Sequence, residues 1–116
     1  MNNYMEFENN YGLSISRNYV QGTLHFDSSD NGLGVDYKLD DNAFANLLVF
    51  FSEFNAKSKS VISSKVMLND AIGLRAELEQ TDSDGEYFLF RIFDDWHTTQ
   101  VSLEKFDILN FIQKFK

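Results

Sequence analysis

Two short acidic runs, Asp82-Ser-Asp84-Gly85-Glu86 and Asp94-Asp95-Trp96-His97, hold the residues of this 116-residue chain best suited to chemistry. Spaced carboxylates beside a glycine first point to calcium. A twelve-residue calcium loop needs an oxygen ligand at its first position and a bidentate glutamate at its last. Aligned on Gly85, those positions fall on Gln80 and Arg91. Aligned on a second candidate beginning at Asp27, the last falls on Lys38. A cation at the closing position repels the metal, so both stretches read as hairpin turns. Zinc would have to use His25 and His97, far apart in sequence and without any cysteine to help. A serine nucleophile lacks its G-x-S-x-G turn, and Gly32-Leu33-Gly34 lacks the third glycine of a dinucleotide loop. Paired carboxylates could in principle cleave glycosides, but at turns they are normally just solvated. The expectation is a protein that is not an enzyme and uses no metal or cofactor.

Binding chemistry is better represented. The formal charge is −8, and residues 70–95 carry eight acids (Asp70, Glu77, Glu79, Asp82, Asp84, Glu86, Asp94, Asp95) against Arg75 and Arg91. Such a field repels phosphate, whose non-specific binding depends on basic residues displacing counterions. Nucleic acid is disfavoured as a direct partner and a basic protein is favoured; the competing reading of the total charge is plain solubility. Within that segment lies the only tryptophan, Trp96, beside two carboxylates that can orient a Lys or Arg. Tryptophan is enriched at interface hot spots. The competing reading folds Trp96 back onto the core.

The elements that must position these groups follow from periodicity. Alternation at Leu13 and Ile15, at Val20, Leu24 and Phe26, and from Leu33 to Leu39 predicts strands, with a turn at Asn31-Gly32. Asp40 or Asp41 can cap a helix whose stripe is Phe44, Leu47, Leu48, Phe51 and Phe54, widened by Val49 and Phe50. It should stop near Asn55, before the polar run Lys57–Ser60. Val61–Leu68, Leu74–Glu79, Tyr87–Phe93 and Thr99–Leu103 read as four more strands. Tyr87–Phe93, apolar on both faces apart from Arg91, should be central in its sheet. Ser102 can cap a last helix with the stripe Phe106, Leu109, Ile112 and Phe115, and Ile108 and Phe111 alongside. The absence of proline suits unbroken ladders. The fold class expected is α+β, a single domain over 1–116. It has antiparallel sheets in two strand-then-helix halves and two helices packed on the sheets. The Asn-rich residues 1–10 are expected to fray. Leu48, Phe51, Phe88, Phe90, Ile92, Leu109 and Ile112 are the expected core.

Register can be argued for the acidic hairpin. Pairing Gln80 with Glu86 sets Leu74, Ala76 and Leu78 opposite Ile92, Phe90 and Phe88, an apolar face that a one-residue slip would destroy. The other face then mixes Arg75, Glu77 and Glu79 with Tyr87, Leu89, Arg91 and Phe93, and sets Arg75 against Arg91. Exposed aromatics among carboxylates are what a partner surface looks like; the alternative is that the N-terminal region or a helix covers them.

In element order, over residues 13–115, the chain resembles the small acidic immunity proteins that bacteria encode beside the toxins of contact-dependent and other polymorphic systems. More narrowly, it looks like a Whirly-like or similar duplicated fold. Phe50-Phe51, the hairpin Asp82–Phe90 and the terminal Leu103–Phe115 carry that likeness. It departs from nucleic-acid-binding Whirly proteins in its acidic segment. The resemblance implies one tight partner, a cognate toxin domain, often a basic nuclease, whose active site or substrate groove is blocked in the cytoplasm. The partner-binding residues expected are Asp94, Asp95, Trp96, Asp82, Asp84, Glu86, Glu77, Glu79 and Tyr87. The competing classes are a phage-type DNA mimic, which needs acids spread over its whole surface, and a small cytosolic ligand-binding domain, which needs a deep polar pocket. No stretch approaches the length of a membrane span, and residues 1–12 are too polar for a secretory signal.

Overall fold

The computed structural model describes residues 5–18, 21–27, 34–56 and 63–115. They form two antiparallel four-stranded sheets, each followed by a helix. The first half runs β1 (Met5–Glu8), β2 (Leu13–Arg17), β3 (Gly22–Asp27), β4 (Gly34–Leu39) and α1 (Asp41–Ala56). The second runs β5 (Ser63–Asn69), a 3-10 turn (Asp70–Ile72), β6 (Leu74–Gln80), β7 (Tyr87–Phe93), β8 (Thr98–Glu104) and α2 (Lys105–Phe115). Strand order is sequential in both sheets, so β7 is an interior strand as its composition requires. The α+β class and the repeated strands-then-helix order are those the periodicity predicts. Val20, the Asn31-Gly32 turn and the Lys57–Ser60 run lie outside the described residues.

Within the polar first ten residues, Met5–Glu8 forms the edge strand β1. Phe7 is buried, pairs with Ile15 across β1 and β2, and sets its ring edge-on to Phe111 at 5.9 Å. Polar composition masked a single well-placed anchor there. Helix α1 starts at Asp40, whose Oδ1 accepts the Ala43 amide at 2.8 Å, an N-cap on the third helical residue. Its stripe buries Phe44, Leu47, Phe50, Phe51 and Phe54, with Leu48 partly covered and Val49 facing outward.

The last helix differs from expectation in cap and in face. Ser102 belongs to β8; the cap residue is Glu104, whose amide donates to Asp107 Oδ2 at 2.8 Å. That bond is one half of a capping box, and it explains why Asp107 is buried at 3% exposure. The buried stripe is Asp107, Ile108, Phe111 and Phe115. Ile112 is only partly buried, and Phe106 and Leu109 are exposed. Apolar residues occupy two adjacent stripes of α2, and only the neighbours decide between them. Phe111 meets Phe7, Phe44, Phe51 and Phe115 with ring centroids 4.7–6.3 Å apart.

One core serves both halves. Ten of the twelve phenylalanines are buried. Phe26 of the first sheet stacks on Phe90 of the second at 6.1 Å, and Phe51 of α1 covers Phe90 from the helix side at 5.2 Å. Gly22 sits where a Cβ would come within 2.3 Å of the Phe44 ring, so the β3 backbone can approach α1 only without a side chain.

Candidate functional site

The acidic hairpin is built two residues further along than the expected register. Leu78 faces Phe90, Ala76 faces Ile92, and Glu77 faces Arg91; Arg75 faces Phe93 instead of Arg91. A two-residue shift keeps every side chain on its face, so the apolar pattern could not resolve it. Charge does: it replaces an arginine pair with an ion pair. Arg91 donates to Glu77 at 2.6 Å and to Glu79 at 3.1 Å, and Lys65 reaches Glu77 at 3.7 Å. The two carboxylates, with Glu77 bonding most strongly, hold the guanidinium pKa above its ordinary value. Glu77 and Glu79 are therefore engaged inside the sheet face and are not free to meet a partner as bare charges. No described helix covers this face. Phe93 lies under the Arg75 guanidinium at 4.7 Å, and Tyr87 is half exposed.

The loop end of the hairpin gathers Asp82, Asp84, Glu86 and Tyr87. Asp82 is a scaffold residue, since its Oδ1 accepts the amides of Glu86 at 3.1 Å and Tyr87 at 3.0 Å. Gly85 closes the loop at φ 73°. Asp84 and Glu86 point to solvent. Tyr87 lies opposite Glu104 across β7 and β8. The β1–β2 turn comes to the same place, with Asn9 donating to the Ser102 carbonyl at 3.0 Å. It brings the exposed Tyr11, whose phenol is raised above its usual pKa by Glu104 ahead of partial burial and Tyr87. Sequence reasoning missed Tyr11 and Glu104 at this end. Their proximity depends on how the two sheets dock, and no local pattern records that.

The other end of β7 carries Asp94, Asp95 and Trp96, about 20 Å away along a seven-residue strand. The two acidic runs are thus at opposite ends of one sheet. Asp94 Oδ1 accepts the amides of Trp96 at 2.8 Å and His97 at 2.7 Å, and the Asp94 amide donates to the His97 carbonyl at 3.0 Å. Those two amides lower the Asp94 pKa below the usual carboxylate value. Asp95 accepts from Arg75 Nη2 at 3.3 Å. Trp96 is 87% exposed. It does not fold back onto the core. Beside it opens a groove between the β4 and β8 edges, lined by Val35, Tyr37, Asp94, Trp96, His97 and Thr99. Tyr37 and Thr99 bridge its floor, hydroxyl to hydroxyl, at 3.0 Å.

Among the described residues, no three His, Asp or Glu side chains are grouped to hold a metal ion. His25 contacts Asp36 on the outer face of the first sheet, and His97 stands near Asp94. No described helix is long and apolar enough to cross a membrane. Fold and site together define a twin-meander α+β protein with an ordered, outward-facing aromatic corner. No family model, curated protein or solved structure matches the chain.

Proposed function

We propose that this chain is an immunity protein that binds and neutralises a cognate toxin domain of basic surface in the cytoplasm, and performs no catalysis itself. The observation that carries the reading is Trp96, 87% exposed on a turn whose backbone is fixed by Asp94. An indole left 87% in solvent contributes little to folding. An indole held on an ordered turn loses little freedom on binding, which is how a hot spot concentrates affinity. Net charge of −8 supplies the complementary field for a basic partner.

The geometry sorts the acids by role. Asp94 and Asp82 shape their turns, Glu77 and Glu79 neutralise Arg91, Asp95 pairs with Arg75, and Asp84 and Glu86 face solvent. That sorting weighs against a DNA mimic, which would need its carboxylates unpaired and in rows. A small-ligand receptor is weakened too, since the groove by Trp96 is open along the sheet edges.

Co-expression tests the reading. Where a toxin domain is encoded immediately upstream, the chain should restore growth to cells making that domain and purify in complex with it. Growth arrest despite equal expression of the folded chain would remove the proposal.

A further inference from the structure

This molecule holds two of its own arginines in the same way. Arg17 lies over the Phe44 ring at 4.7 Å while its Nη2 donates to Asp41 at 2.7 Å. Arg75 lies over Phe93 at 4.7 Å while its Nη2 donates to Asp95 at 3.3 Å. Each is a clamp of one aromatic face and one carboxylate. Trp96 and Asp94 line a single groove, an indole face beside a carboxylate whose Oδ1 takes the turn amides and whose Oδ2 is left for a cation, and none of the cation–aromatic contacts among the described residues involves Trp96. Indole is the best of the aromatic faces for a cation, and a planar guanidinium both stacks on it and forks toward a carboxylate.

We infer that the groove between the β4 and β8 edges is a receptor for an arginine side chain presented by the protein partner, stacked on Trp96 and paired with Asp94. This deepens the immunity reading by naming what the partner inserts. Val35 and Tyr37 supply apolar contact for the arginine's methylene stem, and the Thr99 hydroxyl offers a further acceptor at the floor. The charge of the chain, −8, favours a cation over an apolar anchor at this open rim.

Trp96 is the only tryptophan, so intrinsic fluorescence reads this groove directly. The probe is a capped five-residue Gly/Ser peptide with one central arginine, compared with the same peptide carrying citrulline, the neutral isostere. The arginine peptide should change Trp96 emission saturably and shift the amide resonances of Tyr37 and Thr99, and the citrulline peptide should do neither. Asp94→Asn keeps an oxygen for the turn amides but removes the charge, and should weaken binding by about fivefold or more. Equal responses to the two peptides, or shifts that map away from Tyr37 and Thr99, would overturn the inference. Peptide binding without protection from the toxin would leave the groove standing and sink the immunity reading. Protection without peptide binding would do the reverse.

Discussion

Asp94 illustrates how a residue picked for binding also builds the surface it belongs to. Its carboxylate is held ionised by the Trp96 and His97 amides, so its native pKa lies below that of an ordinary aspartate. A lowered carboxylate pKa adds stability that is complete above the unfolded value and disappears as pH falls through the native one. Asp94→Asn should therefore be less stable than the parent near neutral pH, with the difference closing as the pH falls below the ordinary carboxylate range. Urea midpoints across that range measure it, and a gap that widens on acidification would contradict the assignment. The same reasoning separates neighbours that look alike in sequence. Asp82 accepts two backbone amides while Asp84 points to solvent, although both sit in one loop. Residue type announces that a carboxylate is present, and only the local backbone decides whether it is occupied.

At the scale of elements, α1 was readable because its stripe has one solution. Phe44, Leu47, Phe51 and Phe54 recur at three and four, and Asp40 caps them. Helix α2 was readable in extent but not in face, since its apolar residues fill two neighbouring stripes and the docking of Phe111 against Phe7 and Phe44 chooses one. Phe111→Ala should cost about 3–5 kcal/mol, whereas Leu109→Ala, 39% exposed, should cost less than about 1 kcal/mol. Denaturant melts compare them, and equal losses would mean the stripe is wrong. The hairpin register shows a second limit. Alternation fixes which face a residue takes but leaves shifts of two unresolved, and the Glu77–Arg91 pairing breaks that tie. The site was legible to the same degree. Trp96 and its flanking acids could be named from sequence, but the groove could not, because Val35 and Tyr37 arrive from the other half of the chain.

At the scale of the whole molecule, the two halves repeat an order of elements yet share one core. Phe26 stacks on Phe90 across the sheets, and Phe7 meets Phe111 across the repeat, so neither half keeps its apolar face covered alone. The chain should unfold in one calorimetric transition, and a fragment ending after α1 should show no cooperative melt. Two resolved transitions would argue for independent halves. The shared core also fixes the relation of its ends, with Trp96 at one and Tyr11, Tyr87 and Glu104 about 20 Å away at the other. The central claim is that the Trp96 corner carries the partner's binding energy. Its most direct measurement is the dissociation rate of the complex with the toxin domain proposed as its partner, for the parent, Trp96→Ala and the α1 surface variant Glu53→Lys. Trp96→Ala should dissociate at least about thirtyfold faster, the rate equivalent of a hot spot of about 2 kcal/mol, with Glu53→Lys close to the parent. Unchanged dissociation of Trp96→Ala, or equal acceleration in both variants, would contradict the account.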